Sequence, residues 1–307
     1  MNILITGGAG FIGSNIVKKG LELGHNITVL DNLSTGYKKN IDESRVEFVE
    51  GDIRNRELLF ELTKDKDAVF HLAANVGNVK SIESPSDDST INLLGTINLL
   101  DVMVKNNVSK IIYSSTAAGY GEPKYLPVDE EHPMNADSPY GVSKISAEKM
   151  ILCYSKLYGF QATCLRYFNA YGVNQRFDAY GNVIPIFLRK ILNNEPLTVY
   201  GDGEQTRDFV NVYDIARANW MAFENNITGY FNVATGEGSS INHLLNILKK
   251  ISGKEFDVTF SSPRKGEVKH SVANIEKAKH ALNFTTEVSL EQGLAEYWNW
   301  FIQDTTT

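Results

Sequence analysis

The sequence predicts an α/β fold, a doubly wound parallel sheet followed by a smaller C-terminal α/β lobe, and three observations predict it. First, the apolar run Ile3-Leu4-Ile5 breaks at Thr6 into glycines spaced G-x-x-G-x-x-G (Gly7, Gly10, Gly13). Apolar residues then recur at helical spacing, at Ile12, Ile16, Val17 and Leu21. Second, another apolar run, 26–30, ends in Asp31, about 20 residues after the glycines, where a nucleotide-binding turn places its acidic residue. Third, strand and helix patterns alternate as far as Tyr167. Such alternation requires a parallel sheet covered by helices on both faces, with its ligand at the carboxyl ends of the strands.

The elements follow in order. In the first turn Gly7 permits the tight bend, Gly10 lets the backbone approach a pyrophosphate, and Gly13 lets the helix pack on the strand. The N–H groups of that helix, beginning at Phe11 and Ile12, then face phosphate. A purely structural turn uses the same glycines; Asp31 at that distance favours the nucleotide. Its carboxylate accepts both ribose hydroxyls and repels a 2′-phosphate, and Asn32 and Leu33 follow rather than Arg, so the cofactor expected is NAD rather than NADP. Residues 34–40 form a polar loop that either borders the adenine or is simply solvated. A strand at 46–50 exits through Gly51-Asp52-Ile53, with Asp52 either bonding the adenine amino group or capping the helix at 55–63. The fourth strand, 68–72, ends in the small residues Ala73 and Ala74, as a sheet with a cofactor passing over it requires. His71 reads as packed between strand and helix.

A helix is predicted over 90–106, a strand over 108–115, a helix from Pro139 to about Tyr158, and a strand over 161–167. Beyond Tyr171 the loops lengthen, with turns at 179–182, 200–203 and 262–264. Short helices are expected near 183–193, 211–224, 240–251, 274–282 and 289–302. The division expected is a Rossmann-type domain over 1–170 and a smaller lobe over 171–307, with the chain crossing back near 205–235 and Gly229 to Val233 supplying a further strand. The tail 304–307 is expected to fray.

Composition narrows the function. The 307 residues are 42% hydrophobic and 22% charged, ordinary for a soluble domain with a sizeable core, and the net charge of −7 argues against nucleic acid. Met1 leads directly into the first strand, so no signal peptide is expected, and no apolar run approaches the roughly 18 residues that span a bilayer. Cys153 and Cys164 read as small core residues rather than a disulfide, and the cytosol is the expected compartment. No metal is expected.

Tyr140 and Lys144 stand four residues apart on the helix after Pro139 and so project from one face. A phenol with a pKa of about 10 is a poor base near neutrality. An ammonium one turn away, with the positive ring of NAD⁺, is expected to lower it. Thr116, just past the fifth strand, either holds a substrate alcohol against the phenol or is a turn hydroxyl.

With T-G-G-A-G-F-I-G (6–13), D-N-L (31–33), H-L-A-A (71–74), S-S-T-A-A-G-Y-G (114–121) and Y-G-V-S-K (140–144), the chain resembles the extended branch of the short-chain dehydrogenase/reductases, and within it the UDP-glucose 4-epimerases. L-R-Y-F-N (165–169), N-V-I-P (182–185), G-D-G-E-Q-T-R-D-F (201–209) and P-R-K-G-E (263–267) carry the likeness through the rest of the chain. The resemblance implies Tyr140 as acid/base, Lys144 as its partner on the nicotinamide ribose, and Thr116 beside the sugar 4-hydroxyl. It implies Asn169, Asn182 and Val183 near the UDP diphosphate, Arg207 and Arg264 clamping it, Tyr200 beside uracil and Glu267 on the uridine ribose. Ser271, the fourth residue after Glu267, is expected to wall the sugar pocket, where a small side chain admits an N-acetyl group.

The cofactor surface expected adds Asn32, Asp52, Ile53, Leu72, Ala73, Ala74, Asn92, Ser114 and Tyr167 to the glycine turn and Asp31. Related dehydratases and decarboxylases carry acidic residues just after the Ser/Thr, where this chain has Ala117 and Ala118, so oxidation and re-reduction at one carbon is the chemistry implied. The alternatives are another nucleotide-sugar enzyme, a uronic acid epimerase or net oxidoreductase, and a non-catalytic NAD-binding protein. A homodimer is implied too, pairing the helices at 90–106 and 140–158 through residues such as Leu93, Leu100, Met150 and Tyr154, which read equally as ordinary core.

Overall fold

The computed structural model describes residues 1–177, 182–263 and 268–306. In chain order its elements begin β1 (Asn2–Thr6), α1 (Phe11–Glu22), β2 (Asn26–Asp31), β3 (Glu47–Glu50), α2 (Arg56–Thr63), β4 (Ala68–His71), α3 (Asn78–Glu83), α4 (Pro85–Ser89) and α5 (Thr96–Lys105). They continue through β5 (Lys110–Thr116), α6 (Pro139–Tyr158), β6 (Gln161–Tyr167), β7 (Asn169–Tyr171), α7 (Val183–Leu192), β8 (Leu197–Tyr200), β9 (Thr206–Arg207), β10 (Phe209–Asn211) and α8 (Val212–Asn225). The last are β11 (Gly229–Val233), β12 (Ser239–Ser240), α9 (Ile241–Ser252), β13 (Val258–Ser261), β14 (His270–Ser271), α10 (Glu276–Leu282) and α11 (Leu290–Thr306).

Seven strands form one parallel sheet in the order β11-β6-β5-β4-β1-β2-β3. The order reverses between β1 and β4, which opens a crevice above their carboxyl ends. Ile3, Ile5, Val29 and Phe70 bury one sheet face against α1 and α8, where the Trp220 indole donates to the Ile16 carbonyl at 3.0 Å. Leu4, Leu30, Val69 and Ile111 bury the other against α2, α5 and α6. A separate cluster around Phe187, Leu244 and Trp298 supports the small sheets β10-β7 and β13-β8, and β12-β9-β14 forms a third.

Three local expectations fail. Helical structure begins at Pro85, not Thr90, and passes through a π-helical stretch, Thr90–Gly95, into α5. Pro85 occupies the first helical turn, where its missing N–H costs nothing. Cys153 is exposed and Cys164 alone of the two is buried. The tail does not fray at Asp304: α11 runs to Thr306, and Asp304 is ion-paired with Arg176 and Lys39.

Candidate active site

The glycine turn joins β1 to α1 at the crevice. Gly7 adopts φ +73°, and a Cβ there would meet the Ala73 nitrogen at 2.6 Å, so Leu72 and Ala73 form the wall it leans on. A Cβ on Gly13 would collide with the Gly7 carbonyl oxygen. Gly10 is the N-cap of α1 and offers no side chain, so the first N–H groups of the helix, Phe11 and Ile12 among them, have no side-chain cap. Asp31, buried at the end of β2, accepts from the Ala9 N–H at 2.9 Å and the Leu33 N–H at 2.8 Å. Burial pushes its carboxyl above the usual range, against the pull of those bonds. An uncapped helix N-terminus facing one way and a carboxylate at the neighbouring strand end fit a dinucleotide's pyrophosphate and ribose.

Asp52 does not cap α2. Asn55 does, accepting from the Leu58 N–H at 3.1 Å, while Asp52 holds the Asn32 amide at 3.0 Å and the Arg54 guanidinium at 2.7 Å. The Arg54 bond, with help from Asn32, keeps the Asp52 carboxyl down at about 2. Ile53 is buried against Gly95. Asn92, buried in the π-helical stretch, bonds Asp88 at 3.0 Å, Ser143 at 3.1 Å and both backbone groups of Asn75, at 2.8 and 3.1 Å. Asn219 bonds the Tyr167 hydroxyl at 3.0 Å, buried within the sheet, and Ser114 is half-buried near the end of β5. His71 sits between the hydroxyls of Thr6 and Thr96, at 2.7 and 2.9 Å, and burial holds its pKa near 3.

At the centre, the Thr116 hydroxyl lies beside the Tyr140 phenol, where it favours the charged form, and it accepts from the Ala118 N–H at 3.1 Å, so it is a turn hydroxyl as well. Ser138 caps α6 at the Gly141 N–H and fixes where Tyr140 begins its turn. One turn on, buried Lys144 places its ammonium 4.2 Å from the Tyr113 ring centroid. Burial dominates both groups. It raises the Tyr140 phenol to about 12, against the pull of the Thr116 hydroxyl, and lowers the Lys144 ammonium to about 7, against Cys164, Asp88 and Glu148. In the protein alone burial outweighs the other influences on the Tyr140 phenol; the expected lowering includes the positive ring of NAD⁺.

The predicted substrate residues come from the C-terminal elements. β14 pairs with β9 so that Ser271 stands opposite Arg207. Arg207 donates to the Thr206 carbonyl at 2.9 Å. Tyr200 ends β8 and Asn169 begins β7; exposed Asn182 precedes α7, and Val183 is half-buried in its first turn. The loop leaving Thr116 reaches Val128, which bridges to Ala273 just beyond Ser271 and so joins the two parts of the site. Arg264, Glu267 and the turn at 179–181 lie outside the described residues.

Sequence reasoning missed Asp208, whose buried carboxylate gathers the Thr235 hydroxyl (2.6 Å) and the N–H groups of Thr235, Gly236 and Ala273 (2.8, 2.9 and 3.2 Å). It also missed Glu148, on the face of α6 that carries Tyr140 and Lys144. The four-residue spacing was the available signal for Glu148; for Asp208 there was none.

The model of the NAD dependent epimerase/dehydratase family matches residues 3–234. A putative UDP-glucose 4-epimerase of Methanocaldococcus jannaschii is 44% identical over 99% of this chain and all of its own length. The Thermotoga maritima UDP-glucose 4-epimerase solved with UDP-glucose superposes with a TM-score of 0.95 at 38% identity, covering 99% of this chain and 100% of that one. The Methanobrevibacter ruminantium UDP-N-acetylglucosamine 4-epimerase, solved with UDP-N-acetylmuramic acid, has a TM-score of 0.95 at 36% identity, covering 99% and 98%.

Lys144 should titrate near pH 7, losing its positive charge as the pH rises through neutrality, and NMR of carbon-13-labelled lysine reads this directly. An ordinary lysine titration above pH 10 would contradict its burial.

Proposed function

The chain belongs to the NAD dependent epimerase/dehydratase family, and from that premise we propose that it is an NAD-dependent UDP-sugar 4-epimerase acting through a transient 4-keto sugar. The observation that carries this reading is the placement of the Tyr140 phenol beside the Thr116 hydroxyl, with Lys144 one turn below on the same helix. The glycine turn would hold the pyrophosphate of the cofactor, and Asp31 the adenosine ribose, with NAD preferred over NADP. Bound NAD⁺ supplies the hydride acceptor and later the donor, with a positive ring that favours the phenolate. Tyr140 takes the proton of the sugar 4-hydroxyl and returns it after the keto sugar has presented its other face. Thr116 orients that hydroxyl. Ala117 and Ala118 leave no carboxylate there for elimination or decarboxylation. Arg207, with Arg264, is suited to clamp the diphosphate as a guanidinium fork.

Incubation with UDP-glucose, UDP-GlcNAc and UDP-glucuronate, with products resolved by NMR, tests the reading: an epimerase interconverts 4-epimers without net NADH. Tyr140→Phe should keep cofactor and UDP-sugar binding while turnover falls by about 10² or more, the scale of a lost acid/base group. Near-normal turnover would remove Tyr140 from the chemistry.

The proposed substrate range includes UDP-GlcNAc and UDP-GalNAc. The small Ser271, beside Arg207, supports it, since excluding a bulky substituent takes a steric wall. Ser271→Tyr should suppress activity on the N-acetylated sugars and spare UDP-galactose; equal losses on both would defeat the assignment.

The protein is further proposed to be a cytoplasmic homodimer. Leu100 cannot contribute to its interface, being wholly buried in the core, and Leu93, Met150 and Tyr154 are partly packed there. Leu94, Val142, Leu157 and Tyr158, within the two stretches expected to pair, are exposed apolar side chains, and they support a seam. Sedimentation should give twice the 34.2 kDa chain mass at micromolar concentration, and a single-chain mass would refute pairing.

A further inference from the structure

The adenosine end of the proposed cofactor site is roofed by the loop at 34–40, and that loop is fastened from a distance. Gly36 lies so close over Asp31 that a Cβ would stand 3.0 Å from both carboxylate oxygens. Two bonds tie the loop to the glycine turn, the Tyr37 N–H and the Asn40 amide both donating to the Ala9 carbonyl, at 3.0 and 2.7 Å. Its outer side is gripped by residues remote in sequence. Arg176 gives one guanidinium nitrogen to Asn40 Oδ1 at 2.9 Å and the other two to the Asp304 carboxylate at 2.8 and 2.7 Å. Its guanidinium lies 4.1 Å from the Tyr37 ring centroid, and Trp300 of α11 flanks it at 5.4 Å. Lys39 completes the cluster at 2.9 Å from Asp304.

The Arg176 and Asp304 side chains are only 17% and 13% exposed, so water and salt screen this fork far less than a surface pair. Burial works against the Asp304 charge, but the bonds from Arg176 and Lys39 outweigh it and hold the carboxyl below its usual range, ionised at neutral pH.

We propose that Arg176 and Asp304 are positioning residues for the cofactor, a clasp by which the C-terminal helix holds the 34–40 loop over Asp31 and slows release of the bound dinucleotide. The proposal rests on the dinucleotide reading of the glycine turn. A ligand whose ribose lies beneath this loop leaves only when the loop lifts, and lifting it means parting Asn40 and Tyr37 from Arg176. The Arg176 fork is in turn aimed by Asp304. An enzyme that regenerates its cofactor in every cycle needs slow release, and this arrangement provides it without touching the reacting atoms.

The test uses the full chain and NAD itself. Asp304→Asn and Arg176→Gln should each speed NAD dissociation, followed by chase with excess unlabelled NAD, by about tenfold, the scale of one charge-assisted hydrogen bond. The double variant should be no faster than the faster single, because both act through one contact. Hydrogen exchange of the protein without added NAD should rise within residues 33–40 and stay unchanged in β1 and β4. Lys39→Met, at a mostly exposed side chain, puts folding least at risk and should shift release in the same direction by less. Release within twofold of wild type in the Asp304 and Arg176 variants overturns the proposal, whether or not loop exchange rises. Wild-type protein that binds no NAD overturns the proposed function and the retention role with it; the exchange measurement still shows whether the clasp orders the loop.

Discussion

The site depends on one buried ion pair. Glu148 stands on α6 two turns beyond Tyr140 and one beyond Lys144, and its carboxylate receives the Arg166 guanidinium of β6 at 2.6 and 3.0 Å and the Ser115 hydroxyl of β5 at 2.6 Å. Arg166 also donates to the Tyr120 hydroxyl at 2.9 Å and the Glu130 carbonyl at 3.2 Å. A buried pair of this kind adds little net stability, because desolvation offsets attraction, though removing one partner typically costs about 3–5 kcal/mol. Its geometric effect is larger. A fork meeting a carboxylate admits one rotation of α6 against the sheet, and that rotation brings Tyr140 to Thr116.

The same network reaches the C-terminal elements. The Tyr120 hydroxyl donates to Asn232 Oδ1 on β11 at 2.7 Å, and the Asn232 amide donates to the Val128 carbonyl at 2.9 Å. Val128 bridges to Ala273, whose N–H is held by Asp208. From Glu148 to Asp208 a run of buried polar groups connects the helix bearing Tyr140 to the strands that present Arg207 and Ser271. Buried polar groups are costly unless satisfied, and here nearly every one is. Gln175 Oε1 is the one buried side-chain polar atom without a partner among the described residues.

Burial also sets the electrostatics. Lys144 near 7 and Tyr140 near 12 are both displaced toward their neutral forms, so the protein alone holds this pair uncharged more readily than either group would be in water. A cation beside the phenol would favour its charged form.

Much of this was legible in the sequence, because the signals are local. Gly7, Gly10 and Gly13 declare a turn that only glycine fits, Asp31 closes its strand at the expected distance, and Tyr140 and Lys144 share a face by helical spacing alone. What only the tertiary structure decided involves partners far apart in the chain. Asp52 turned from helix cap to Arg54, with Asn55 capping α2 in its place. Leu100 went inward although its helix face read as a seam. Cys153 went outward, and Asp304, at a polar end that reads as a fraying tail, was captured by Arg176, 128 residues away. No pattern of spacing encodes such pairs: a carboxylate in sequence is only a charge, and its role is fixed by which donors the folded backbone brings within 3 Å of it.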